Sequence, residues 1–184
     1  MTSQRKNSAT LNVAKEAVNM HPLPFLNPAL FQVCYVTSDL DAGLTQLSAV
    51  HGVERSRIKR DVAPLPVMPA MTLHQAHVYL GDVLLELFQP AGGDDAVYRD
   101  LGPVDATIRN RHVGMWVDDR REYGALRARC AAMNVPVAFE IAIPDVGGAI
   151  NVDLHRSLGH DLECSPGAAG EANPLRRRAT VLKR

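Results

Sequence analysis

Two pairs of polar residues recur in this sequence at similar distances. Gln32 and Glu86 lie 54 residues apart, and His112 and Glu163 lie 51 residues apart. Both glutamates interrupt apolar runs, where a buried and unpaired carboxylate would be costly. Together the four side chains offer amide, imidazole and carboxylate donors. This mixed set suits one divalent zinc, nickel, cobalt, manganese or iron ion and is too poor in thiolate for structural zinc.

Each of the four residues also has an ordinary structural explanation when it is taken alone. A single histidine in a strand is more often a core residue than a ligand, and Gln32 could lie at a strand edge. Glu86 and Glu163 could simply face water. The four side chains form a site only if the fold brings them together, so the elements around them decide between the two explanations.

The chain contains an internal repeat with an offset of about eighty residues. Residues 31–47 and 111–127 each consist of a short apolar run, an aspartate and a helix-like stretch. Residues 77–90 and 147–166 each have the pattern of a β-hairpin. We therefore predict an α+β fold: two tandem βαβββ modules form a curved mixed sheet that encloses a cup-shaped metal or ligand site.

Local patterns add detail to this prediction. The first hairpin should turn at Gly81-Asp82 and the second near residues 157–159. Asp39 and Asp119 are the expected N-caps of the two helices. Strand alternation divides the side chains of the first strand of each module between two faces, and it places Phe31 on the outer face. The side chains predicted on the cup face are Gln32, Cys34 and Val36 in the first module and His112, Gly114 and Trp116 in the second.

A proline-rich segment interrupts the first module. Residues 61–73 contain three prolines, which argue against a regular strand. We expect a long loop there, which either crosses the mouth of the sheet or acts as a rigid surface connector.

The predicted domain organisation follows from the repeat. Residues 1–29 would be an N-terminal extension and residues 166–184 a flexible basic tail. The domain between them, residues 30–165, would contain module 1 at about 30–90 and module 2 at about 110–165.

Composition excludes several classes of protein. The 184 residues are 46% hydrophobic and 22% charged, as in an ordinary globular domain. A formal net charge of zero argues against nucleic-acid binding, and no apolar run is long enough for a membrane span. The three widely spaced cysteines indicate a reducing compartment, and we expect the protein to be cytoplasmic. They are Cys34, Cys130 and Cys164.

The two modules resemble the paired βαβββ units of the vicinal oxygen chelate superfamily. This superfamily includes glyoxalase I, methylmalonyl-CoA epimerase, extradiol dioxygenases and fosfomycin or bleomycin resistance proteins. The resemblance covers residues from about 30 to 165 and rests on FQVCYVTSDLDAGL, VLLELFQP, RHVGMWVDD and GHDLEC. It implies the same four metal ligands, in the chain order of the ligand set of eukaryotic glyoxalase I. These are Gln32, Glu86, His112 and Glu163.

The resemblance implies a metal-dependent lyase or isomerase of the lactoylglutathione lyase type. Its divalent ion would chelate two neighbouring oxygens of a small-molecule substrate. The ion would stabilise the enediolate or enolate formed when the adjacent carbon loses its proton. Glu163 is implied as the base that takes this proton, and Glu86 is the symmetry-related second candidate. A homodimer is expected, since edge strands in such sheets are commonly paired.

Three other functions stay open at this point. An acyl-thioester epimerase like methylmalonyl-CoA epimerase would share the chemistry and differ in its pocket. A metal-free binding or resistance protein would use the same cup, although such proteins usually lack the four ligands. An extradiol-type dioxygenase would need two histidines and one glutamate, a pattern that Gln32 and Glu86 do not match.

Overall fold

The structure, a computed structural model, describes residues 29–53, 56–63, 70–94, 98, 108–142 and 147–167. Its strands are β1 (Ala29–Thr37), β2 (Arg57–Val62), β3 (Met71–Leu80), β4 (Val83–Gly93), β5 (Ile108–Val117), β6 (Val137–Ile141), β7 (Ala149–Val152) and β8 (Asp161–Pro166). Its helices are α1 (Leu40–His51), α2 (Arg120–Ala132) and α3 (His155–Leu158). The predicted N-terminal extension and C-terminal tail fall almost entirely outside the described residues.

All eight strands join one mixed sheet in the order β2-β3-β4-β1-β5-β8-β7-β6. We use the name module 1 for β1 to β4 with α1, and module 2 for β5 to β8 with α2 and α3. The strand order of module 2 mirrors that of module 1, and the sheet ends at β2 and β6 instead of closing into a barrel. The mixed sheet with its few helices confirms the predicted α+β fold class. No helix among the described residues is long and apolar enough to cross a membrane.

A local two-fold axis relates the two modules. The strands β1 and β5 are antiparallel, and Val33 pairs with Val113 near their centre. Because these two valines are themselves one repeat offset apart, the axis passes through this pair. Gln32 and His112 each lie one residue from the axis. The fold therefore brings the first polar residue of each module to the same place.

The two long helices cover the outer face of the sheet. Asp39 caps α1 and Asp119 caps α2, and each carboxylate accepts hydrogen bonds from two backbone N–H groups of the first turn, as predicted. Helix α1 buries Leu47 against β3 and β4, and α2 buries Leu126 and Cys130 against the second half of the sheet. Full burial of one such leucine contributes about 1.5–3 kcal/mol. The opposite face is left to form the cup.

The cup of module 1 has an apolar floor. Phe88 and Tyr98 meet edge to face, with 5.6 Å between their ring centroids. The buried residues of this floor are Cys34, Val36, Met71, Leu73, Phe88 and Tyr98. Charged groups that point into the cup therefore lie next to a surface of low polarity, which matters for their pKa values.

The proline-rich segment contains more strand than we predicted. β2 extends to Val62 and β3 begins at Met71, so the prediction of an irregular segment over 61–73 is wrong at both ends. The three prolines all lie within residues 64–69, and the flanking residues are free to pair. Residues 64–69 lie outside the described residues, and a loop across the cup there stays a prediction.

The hairpins differ in how they turn. In module 1 the chain turns at Gly81-Asp82, as predicted, and Gly81 has a φ of 59°, which favours glycine. In module 2 the expected turn near residues 157–159 coincides with the end of the short helix α3, which terminates at Gly159. β7 and β8 pair as predicted on either side of this helix.

Two β-bulges interrupt the pairing of β1 with β5. The register skips Phe31 on β1 and Arg111 on β5, which are 80 residues apart. A bulged residue leaves the alternation of its strand. The prediction that Phe31 points to the outer face is therefore wrong. Its ring stacks on Trp116 at 4.0 Å, and a Cβ added to Gly114 would touch it.

Candidate metal centre

The four predicted side chains meet on the cup face beside the axis. Nε2 of Gln32 lies 2.8 Å from Oε2 of Glu86 and 2.8 Å from Nε2 of His112. The same imidazole nitrogen lies 3.3 Å from Oε2 of Glu163. The structure thus places one polar side chain from each of four strands around a single point. Whether this point holds a metal ion is a separate question.

Parallel pairing explains why both glutamates reach the axis. Glu86 is the partner of Cys34 on β1, and Glu163 is the partner of Gly114 on β5. Cys34 and Gly114 are equivalent residues of the repeat. A Cβ on Gly114 would lie 2.8 Å from the Cβ of Gln32, so glycine allows the two central strands to approach closely at the site.

Burial makes Glu163 retain its proton. Removal from water, with the nearby charge of Glu86 as the second cause, raises the pKa of Glu163 to about 8. The polar side chains of Asn151 and Ser165 act in the opposite direction. Near neutral pH this carboxyl group can therefore both hold and release a proton. A group with this property suits general acid–base chemistry.

Burial has the opposite effect on His112. Only 2% of this residue is exposed, and desolvation lowers the pKa of His112 to about 4, although the charge of Glu86 acts in the other direction. The imidazole is therefore neutral at physiological pH, which is the form that binds metals. Its Nδ1 atom is buried and has no hydrogen-bond partner within the described part of the chain.

Two side chains that we did not predict to be functional border the centre. The sulfur of Cys34, a carboxylate oxygen of Glu86 and a ring nitrogen of His112 lie within 4.8 Å of one another. Nε2 of His77 lies 3.3 Å from Oε1 of Glu86, its cross-strand partner. The signal for His77 was present in the sequence, since a turn at Gly81-Asp82 places these two residues opposite each other.

Asn151 occupies in module 2 the place that His77 has in module 1. It lies opposite Glu163 in the β7–β8 pair and is fully buried. This pairing could not be predicted from the sequence, because a short helix between β7 and β8 replaces the tight turn from which the register could be counted. The two glutamates therefore have different neighbours, an imidazole beside Glu86 and an amide beside Glu163.

The arrangement fits a divalent ion. The amide nitrogen of Gln32 stands between Glu86 and His112, and a half-turn of the amide would present its oxygen there instead. Imidazole nitrogen, amide oxygen and two carboxylates are donors that such ions accept. A cation would also offset the cost of burying two carboxyl groups together. Gln32, Glu86, His112 and Glu163 are the residues that would hold it.

Proteins similar to this chain are found by structure and not by sequence. No protein-family model and no curated protein matches this sequence. A variant of Streptomyces coelicolor methylmalonyl-CoA epimerase, solved with 2-nitronate-propionyl-CoA, matches with a TM-score of 0.51 and 19% identity over 79% of this chain and 98% of that chain. The chain has the fold of the vicinal oxygen chelate superfamily.

A second structure supports the same fold. A methylmalonyl-CoA epimerase in complex with methylmalonyl-CoA and ammonium matches with a TM-score of 0.51 and 19% identity, over 78% of this chain and 97% of that chain. At this identity the likeness concerns the vicinal oxygen chelate fold alone. The chemistry of this chain has to be argued from its own side chains.

Proposed function

We propose that this protein is a divalent-metal-dependent lyase or isomerase that moves a proton next to a carbonyl group. The observation that supports this function best is the meeting of Gln32, Glu86, His112 and Glu163 at one point, with 2.8–3.3 Å between their polar atoms. When bound there, a divalent ion supplies a Lewis acid for two neighbouring oxygens of a substrate.

Glu163 is the proposed base. Its side chain is only 12% exposed, and in the metal-free protein burial and the charge of Glu86 raise its pKa to about 8, near the pH at which proton uptake and release are both possible. The carboxylate takes a proton from the carbon beside the carbonyl group and returns it to the same carbon or to the neighbouring one. Return to the neighbouring carbon gives a lactoylglutathione lyase type of reaction, and return to the same carbon gives an epimerase.

Glu86 is the proposed permanent ligand and the second candidate base. Its two oxygens have separate neighbours, since Oε2 accepts from Gln32 while Oε1 lies 3.3 Å from Nε2 of His77. These contacts fix the orientation of the carboxylate from two sides. The cup would bind a small molecule with neighbouring oxygens, in a homodimer of a reducing, cytoplasmic compartment.

An acyl-thioester epimerase is the second candidate function. Two of the structures that match this fold are methylmalonyl-CoA epimerases in complex with 2-nitronate-propionyl-CoA and with methylmalonyl-CoA. For this candidate function, the two symmetry-related glutamates, Glu86 and Glu163, would supply one carboxylate base in each module. A ring-cleaving dioxygenase and a metal-free binding protein are the remaining alternatives, and the assays below separate them.

The first experiment is elemental analysis of the purified protein, followed by titration of the metal-free protein with zinc, nickel, cobalt, manganese and iron(II). We expect one ion per chain, and Glu86→Gln should weaken its binding without unfolding the protein. Unchanged affinity in this variant would remove Glu86 from the site. Failure of the wild-type protein to take up any of these ions would support the metal-free binding protein instead.

The reaction is then assigned with the metal-loaded protein in deuterated water. The hemithioacetal of methylglyoxal and glutathione tests the lyase, and methylmalonyl-CoA tests the epimerase. A catechol with oxygen uptake as the readout tests the dioxygenase. Deuterium in the product of either of the first two reactions, lost in Glu163→Gln, is the expected result. Oxygen uptake would contradict the proposed proton transfer.

A further inference from the structure

A buried ion pair lies beside the candidate metal centre. Arg111 and Asp161 have side chains that are 5% and 1% exposed, and Nη1 of the guanidinium contacts Oδ2 of the carboxylate. Nδ1 of His155 lies 2.7 Å from the other carboxylate oxygen, Oδ1. The guanidinium carbon also lies 5.9 Å from the ring centroid of Tyr98 and 5.8 Å from that of Phe139. One ion pair and two cation–π contacts therefore hold Arg111 in one position.

The contacts on the acidic side of this network argue against a second metal site there. Asp153, His155 and Asp161 lie close enough together to share an ion. Both oxygens of Asp161 are already occupied, one by the imidazole and one by the guanidinium. A cation bound at Asp161 would also meet the positive charge of Arg111. The cluster is better explained as support for the ion pair.

His112 lacks the support that a metal-binding histidine usually has. Such a histidine commonly donates its second ring nitrogen to a carboxylate, a carbonyl or a water, and this bond fixes the orientation of the ring. Nδ1 of His112 has no such partner among the residues that the structure describes. The contacts of the ring within the described residues are on the Nε2 side, toward Gln32 and Glu163, where a metal ion would bind. On the side away from the ion, the position of the ring depends on the backbone that carries it.

The ion pair connects the residue directly before His112 to the strand that lies beside it. Arg111 is the bulged residue directly before it, and a bulge re-aims the side chains of its strand. Asp161 is the partner of His112 in the parallel β5–β8 pair. The contact between the two charged side chains therefore ties the bulge to the neighbouring strand at the level of His112.

We propose that the Arg111–Asp161 pair is a positioning pair that holds His112 in its metal-binding orientation. It takes the place of a hydrogen bond to Nδ1. This role rests on the proposed function, because His112 is a ligand only if the site binds a metal. The orientation of the ring, however, can be measured in the metal-free protein as well.

The equivalent residues of module 1 provide the test variant. The positions of Arg111 and Asp161 are occupied there by Phe31 and Leu84. The double variant Arg111→Phe/Asp161→Leu therefore removes both charges together, and no unpaired charge stays buried. A second variant, Arg111→Lys, keeps the charge and loses the planar fork of the guanidinium.

Zinc affinity is measured by competition with a chelating dye, and the ring nitrogens of His112 are observed by NMR in the metal-free protein. The His112 signals are assigned by their loss in His112→Gln. We expect the double variant to bind zinc about 10–100-fold more weakly, with shifted or broadened His112 signals. Arg111→Lys should fall between the double variant and the wild-type protein. If the double variant does not fold, Arg111→Lys alone decides, and wild-type affinity with wild-type signals would overturn the proposal.

A matched control uses an exposed ion pair of the same module. Arg127 and Glu140 lie 3.0 Å apart on the surface, and Arg127→Met should leave both readouts unchanged. Wild-type zinc affinity and unchanged His112 signals in a folded double variant would refute the positioning role. If the wild-type protein binds neither zinc nor any of the other four divalent ions, the proposed function fails. The ring signals of the metal-free variants then still decide whether the pair orients His112.

Discussion

The two modules share one backbone plan and differ in the groups that they place beside it. At the bulge, module 1 has Phe31 next to Gln32, and module 2 has Arg111 next to His112. The repeat therefore preserves the geometry that aims a polar side chain into the cup. It does not preserve the contacts of the residue next to it, which are apolar stacking in one module and an ion pair in the other.

The same contrast appears at the two glutamates. Glu86 lies opposite His77, whereas Glu163 lies opposite Asn151. Burial next to Glu86 raises the pKa of Glu163 to about 8. Equivalent positions in a symmetric fold can therefore take different roles, one as a ligand and one as a base. The variants below test this division, from the largest expected effect to the smallest.

Glu163→Gln and Glu86→Gln should have different effects on turnover. The first change removes the proposed base, and we expect turnover at saturating metal to fall about 10²–10⁴-fold. The second should weaken metal binding, with a smaller effect on turnover once the site is filled. The measurement is the initial rate with the substrate found in deuterated water, as a function of metal concentration. A larger loss of saturated turnover in Glu86→Gln would reverse the assigned roles.

Asp161→Leu should destabilise the protein because it leaves the guanidinium of Arg111 buried without its carboxylate. The expected loss in the free energy of unfolding is about 3–5 kcal/mol. Adding Arg111→Phe should recover most of that loss, since the double variant copies the apolar pair of module 1. Urea unfolding of both variants checks this. A single variant as stable as the wild-type protein would show that the pair is not energetically coupled.

Much of the similarity between the two modules could be predicted from the sequence, because the internal repeat shows which residues are equivalent. The offset that aligns Gln32 with His112 also aligns the two glutamates, and symmetry then requires the four to meet. The turn at Gly81-Asp82 fixed the register of the first hairpin and, with it, the contact between His77 and Glu86.

The bulges could not be predicted. A bulge inserts one residue into an otherwise regular alternation, and period-two reasoning then assigns that residue to the wrong face. This is why Phe31 was expected on the outer face and why Arg111 was not considered for the site. The prolines of residues 64–69 misled in a different way, since β2 extends to Val62 before them and β3 begins at Met71 after them.

Gly114→Ala tests whether position 114 requires glycine, although the equivalent position of module 1 is occupied by Cys34. A Cβ at position 114 would lie 2.8 Å from the Cβ of Gln32 and 2.9 Å from the ring of Phe31. We expect a loss of about 1–3 kcal/mol in the free energy of unfolding, as for overpacked cores. Gly124→Ala is the control, since that helical position has no neighbour within 4 Å of an added Cβ. Equal stability of the two variants would show that the central strands can move apart.

The stability of the metal-free protein should depend on pH through Glu163. The pKa of this group is raised from 4.5 to about 8 on folding, so the folded state binds the proton more tightly than the unfolded state. Stability relative to Glu163→Gln is therefore highest below the lower value. It should fall as the pH rises towards the upper one, by up to about 1.4 kcal/mol per pH unit. Urea unfolding of both proteins across this range provides the test, and a constant difference would mean that Glu163 ionises freely.

Gln32→Ala should have the mildest effect on metal binding. Gln32 is equivalent to His112 by symmetry, yet a neutral amide is a weaker donor than an imidazole, and its nitrogen faces the site when no cation is bound. We expect zinc affinity to fall by about tenfold or less, well below the loss in His112→Ala. Competition with a chelating dye measures both variants, and circular dichroism controls for folding. A loss equal to that of Glu163→Ala would contradict this order and would make the amide of module 1 as important as the acid–base group of module 2.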